Sequence, residues 1–176
     1  MNIRITFQLF LLAAVLLLYC GCGIKLKGAK KGDGASVETF LVGNGVIQYF
    51  VKPLTFTSRG GNMLVDFTFR GNQDSLYKAK VNLTIGGQET GKIDSFKLVP
   101  DDPNSIIMTA LITGATPMKK GLRYFSDVDN KALNNLFASG QNFKIITYSK
   151  QAEQIFHPIA KSSKKIRRIP SILINN

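Results

Sequence analysis

The sequence predicts an all-β domain, mainly an antiparallel β-sandwich of about seven strands, with one short helix. Three observations carry that expectation. Apolar and polar residues alternate with period two in several runs of the chain, which gives each strand one dry and one wet face. The links between the runs are short and rich in Gly, Pro, Asp and Asn, the chemistry of hairpins and not of crossover helices. A helical spacing of apolar residues occurs clearly only once, between 126 and 142.

The elements follow in chain order. Leu9 to Leu18 is an unbroken apolar run, preceded by a stretch whose only charged side chain is Arg4. This is the build of a secretory signal peptide, too short in its apolar core for the ~20 residues of a permanent transmembrane helix. The only two cysteines, Cys20 and Cys22, stand directly after it. A disulfide between them would close a ring with one residue inside, where the usual Cα separation and dihedral are hard to reach. A metal site needs three or four ligands, and the single histidine, His157, is far away in sequence.

An apolar run followed by small residues and a cysteine resembles the lipobox of bacterial lipoproteins. Within that resemblance Cys22 is the modified residue, because the small Gly21 precedes it whereas the bulky Tyr19 precedes Cys20. The position three before Cys22, usually Leu in the family, is Tyr19, with Leu18 one further back. The resemblance implies cleavage after residue 21 and acyl chains on Cys22, a membrane anchor that two chains make stable. It also implies an outer-membrane location facing the periplasm, since Gly23 stands where an Asp marks inner-membrane retention in many Gram-negative lipoproteins.

Residues 22 to 36 are the modified cysteine and a tether. "GIKLKGAKKGDGAS" has four lysines, four glycines and little apolar mass to bury. Lys25, Lys27, Lys30 and Lys31 stand just beyond the anchor, where anionic headgroups would hold them at ~1 kcal/mol each.

The domain itself is expected over 37 to 160. Strand candidates are 45–52, 54–58, 62–70, 76–85, 92–99, 105–112 and 143–149. In the third, Met63, Val65, Phe67 and Phe69 face one way, with Leu64, Asp66, Thr68 and Arg70 opposite. In the fourth, Tyr77, Ala79, Val81, Leu83 and Ile85 form the dry face. The helix is expected to start at Ser126, with Asp129 in a capping-box position, to bury Leu133, Leu136 and Phe137, and to stop at Gly140. Residues 161 to 176 mix a basic block with apolar residues and read as a final strand or a loose extension.

Candidate sites are few. Lys161, Lys164, Lys165, Arg167 and Arg168 form the densest charge in the chain, without an acid among them. With a formal net charge of +12, or +11 once Arg4 leaves with the signal, the block suits anionic phospholipid, lipopolysaccharide phosphate or an acidic envelope protein. Nucleic acid is not expected, for want of interleaved aromatics and because the chain is exported. "DVDN" at 127–130 lacks the glycine and acid that complete a calcium loop, since Ala132 and Ala138 fill those places, and reads as a helix start. "DDPN" at 101–104 reads as a turn.

No well-marked catalytic, nucleotide or metal motif occurs, so no cofactor and no metal are expected. The expected role is non-catalytic: a binding or scaffolding module anchored in the cell envelope. Two rivals differ in class. An unmarked envelope enzyme would gather Asp66, Asp94 or His157 with lysines and tyrosines in one pocket. A periplasmic inhibitor of a secreted hydrolase would present a protruding loop, such as 113–125.

Overall fold

The computed structural model describes residues 36–72, 76–86, 92–119, 121–150 and 152–169 of the 176-residue chain. The described elements run in the order β1 (Val37–Gly43), β2 (Val46–Ser58), β3 (Gly61–Gly71), β4 (Leu76–Ile85), β5 (Ile93–Pro100), β6 (Met108–Leu111), β7 (Gly114–Met118) and β8 (Gly121–Val128). After them come α1 (Asn130–Ala138), β9 (Phe143–Ser149), β10 (Glu153–Pro158) and α2 (Ala160–Ile166).

All pairings are antiparallel, and nine strands lie on one path, β6-β5-β9-β10-β2-β3-β4-β8-β7, with β1 added to β2. The all-β expectation holds, but the seven-stranded sandwich does not. The reason lies in β10. Its residues 153–156 pair with β9, while His157 and Pro158 pair with Thr57 and Phe56 of β2, so two groups of strands merge into one curled sheet. At the far ends of the path, β6 pairs with β5 and β7 with β8, and only Ile112 and Thr113 separate β6 from β7. Both of these residues stay bonded: Ile112 N–H donates to the Asp94 carbonyl and Thr113 N–H to the Phe125 carbonyl.

Three local readings also change. The candidates 45–52 and 54–58 are halves of the single strand β2, which carries Pro53 inside a bulge. There Lys52 and Pro53 together oppose Asp66, so the missing proline N–H costs no ladder bond. The segment 113–125, expected as a loop, is largely the β7–β8 hairpin. Ser126 belongs to β8 and donates from Oγ to the Leu111 carbonyl, so it is Asp129 that caps α1, accepting from Ala132 N–H.

Strand alternation turns the residues named above inward. Met63, Val65, Phe67, Phe69, Ala79, Val81, Leu83 and Ile85 are all buried, with the side chain of Tyr77 outside the described residues. Helix α1 adds Leu133, Leu136 and Phe137 to the same core and ends before Gly140 at φ 63°. Phe137 meets Phe67 edge-on at 4.9 Å between ring centres and Phe143 at 6.1 Å, the T-shaped geometry that aromatic quadrupoles favour.

Candidate functional site

The strongest charged feature sits on the edge of β2 that faces away from β3. That edge changes partner along its length. β1 pairs with it as far as Val51, Lys52 N–H then donates to the Ser36 carbonyl at 2.8 Å, and β10 takes over at Phe56 and Thr57. The gap between them is filled by α2. Ile159 N–H donates to the Thr55 carbonyl, and the buried Ser162 hydroxyl accepts from Thr55 N–H at 2.8 Å. A hydroxyl therefore stands where the next strand would supply a carbonyl.

Ala160–Ile166 forms a helix here, followed by a turn to Ile169, because apolar and small residues recur at helical spacing. Ser162, Ile166 and Ile169 fall at i, i+4 and i+7, and all three are buried. A strand or a loose end was the expectation for this stretch, and neither would bury that triad. Lys161, Lys164 and Lys165 share a second face of the helix at i, i+3 and i+4, and Arg167 and Arg168 follow in the turn after it. Lys161, Lys164, Arg167 and Arg168 are exposed and Lys165 is half-buried. Lys164 and Lys165 also lie in the last turn, where positive charge complements the helix dipole.

Ser36 and α2 thus attach to β2 through Lys52 and Thr55, three residues apart, or about 10 Å at ~3.3 Å per residue. The structure brings the basic block together on this edge, beside the point where the chain joins the sheet. Cys22, Lys25, Lys27, Lys30 and Lys31 lie outside the described residues.

The remaining candidates disperse. Asp94 lines a cleft of about 310 Å³ with Lys92, Thr113 and Tyr124, whereas His157 lines an open groove of about 610 Å³ with Arg59, Glu153 and Gln154. Asp66 belongs to neither, so the three do not meet at one substrate position. In the turn at 101–104, Asp102 accepts from Asn104 N–H and the Ser105 hydroxyl, and these bonds, the Asn104 N–H first, hold its pKa below the usual value. Among the described residues no cluster of three or more His, Cys, Asp or Glu could hold a metal, and no helix is long and apolar enough to cross a membrane.

One polar cluster escaped the sequence reading. On the outer face of the sheet, Asn82 Nδ2 donates to Asp66 Oδ1 at 2.7 Å, and Arg123 Nη2 reaches both Asp66 oxygens at 2.9 Å. Asp66 is buried at 1% exposure, whereas the Arg123 side chain is a third exposed. Burial raises the Asp66 pKa, and the Asn82 hydrogen bond and then the Arg123 charge oppose that rise. The available signal was a lone carboxylate in "MLVDFTF"; the register that sets Asp66 opposite Asn82 was not readable.

No protein family, curated protein or solved structure matches this chain. The main feature of the described geometry is a cationic helix locked onto a strand edge.

Proposed function

We propose that this chain is a lipid-anchored cell-envelope protein whose β domain is a non-catalytic binding or scaffolding module, held at the outer membrane and facing the periplasm. The observation that carries the reading is reach. Ser36 is already bonded into the sheet, and thirteen residues separate it from Cys22. Whatever its path, such a segment cannot place Ser36 more than about 50 Å from Cys22, at ~3.5 Å per residue. With Cys22 acylated, the domain works only within that layer at the membrane surface.

The lipobox-like sequence supplies the anchor, and the fold supplies a small rigid body to hold there. The core is filled by phenylalanines packed edge to face, and the clefts do not assemble Asp66, Asp94 and His157. Growth with a labelled fatty acid tests the proposal. Label is expected in the native protein and none in Cys22→Ser; equal label in both, or none in either, overturns it.

A further inference from the structure

We infer that the cationic face of α2 docks on the anionic phospholipid headgroups of the leaflet that holds the Cys22 anchor. The inference rests on the lipid-anchored reading and adds an orientation and a partner to it.

Position is the first argument. Ser36 and Ser162 bond to the same edge of β2, at Lys52 and Thr55. The chain arriving from the anchor joins the domain about 10 Å from the helix, at ~3.3 Å per residue of strand. That arriving segment carries Lys25, Lys27, Lys30 and Lys31 in its sequence. Helix α2 therefore lies beside the point at which the anchor's pull enters the domain.

Rigidity and charge make the second argument. The Thr55–Ser162 bond and the burial of Ile166 and Ile169 fix the rotation of α2, so its lysines form a standing surface and little order is lost on contact. No acidic residue occurs between 159 and 169. Lys161, Lys164, Lys165 and Arg167 have no carboxylate within ion-pairing distance among the described residues.

The kind of surface decides the occupant. The exposed residues of the segment are Ala160, Lys161, Lys164, Arg167 and Arg168, with no aromatic or large apolar side chain among them. A protein partner draws most of its affinity from a few anchors seated in well-packed pockets, and this segment offers no aromatic one. A headgroup layer needs none, because each basic residue near it strengthens attachment about fivefold through charge alone.

The chain has no tryptophan, so Ala160→Trp creates a single donor on α2 for energy transfer to a dansyl-labelled headgroup lipid. The native-length protein carrying this change is reconstituted into vesicles of phosphatidylcholine alone, or of phosphatidylcholine mixed with phosphatidylglycerol. Transfer is expected to rise at least twofold in the mixed vesicles and to return to the phosphatidylcholine level at about 1 M salt, where the screening length is ~3 Å. The same protein with Lys161→Gln, Lys164→Gln, Lys165→Gln and Arg167→Gln is expected to keep its fold by circular dichroism and lose the rise.

Equal transfer in both vesicles, or a rise that the glutamine variant retains, overturns the inference. An emission change that needs added polyglutamate and ignores phosphatidylglycerol overturns it in favour of an acidic protein partner. Failure to float with phosphatidylcholine vesicles sinks the anchored reading instead, while transfer on the mixed vesicles still decides whether α2 meets headgroups.

Discussion

Thr55 and Ser162, 107 residues apart, meet through a single hydrogen bond of 2.8 Å that closes the gap in the β2 edge between β1 and β10. Ser162→Ala leaves the Thr55 N–H without its acceptor in a partly buried setting. The expected loss is about 1–2 kcal/mol of stability. Hydrogen exchange at the Thr55 amide checks the mechanism: that amide is expected to exchange faster in the variant, while the β3–β4 amides slow or quicken only with global stability.

The Asp66–Arg123 pair gives a pH signature. Because burial holds the Asp66 pKa above its unfolded value, the native state binds that proton more tightly than the unfolded chain. Stability from this group is therefore greatest at low pH, falls as pH rises from the ordinary carboxylate range through the raised pKa, and then levels off. Asp66→Asn is expected to remove that slope from a series of denaturation midpoints taken across the acid-to-neutral range.

Arg123→Met leaves the buried Asp66 carboxylate with Asn82 alone. Loss of one partner from a buried pair costs up to several kcal/mol, and the partial exposure of Arg123 places the expected cost at about 2–3 kcal/mol at neutral pH. Urea denaturation measures it, and the pH slope assigned to Asp66 is expected to steepen in this variant.

Phe137 is the α1 side chain that locks the helix to the sheet, through contacts with Phe67, Phe69 and Phe143. Phe137→Ala empties the centre of that cluster, and a cost of about 3–5 kcal/mol is expected by chemical denaturation.

Gly43 and Gly121 separate two reasons for glycine. Both have φ near +105°, but a Cβ at Gly43 meets nothing within 4 Å, whereas one at Gly121 would overlap the Ile85 carbonyl oxygen. Gly43→Ala is expected to cost only backbone strain, ~1–3 kcal/mol. Gly121→Ala must also push β4 and the β7–β8 hairpin apart, and a loss above ~4 kcal/mol in a thermal or urea melt is expected.

Much of the fold was legible because period-two alternation states directly which residues turn inward. The dry faces of β3 and β4 and the α1 triad Leu133, Leu136 and Phe137 are core residues as read, apart from the undescribed side chain of Tyr77. What was not legible depends on pairing between distant segments. The candidates 45–52 and 54–58 part at Pro53, a residue that cannot donate to a ladder, and only the register against Asp66 shows that the bulge removes the need. The change of partner along β10 joins what looked like two sheets, and no local pattern encodes it.

The basic block was visible as charge, but its setting was not. Ser162, Ile166 and Ile169 mark a buried helical face only once β2 is known to offer an unpaired Thr55. Asp66 was counted with the wet face of β3, where its side chain does point. Its partners Asn82 and Arg123 stand on β4 and β8, which a single run of letters does not reveal.

The intact mass of the protein isolated from its own membranes tests the anchor most directly. The expected species begins at Cys22 and is heavier than residues 22–176 by a diacylglycerol, with or without a third acyl chain. A species that retains Met1, or that begins elsewhere and carries no acyl mass, would contradict the anchored account.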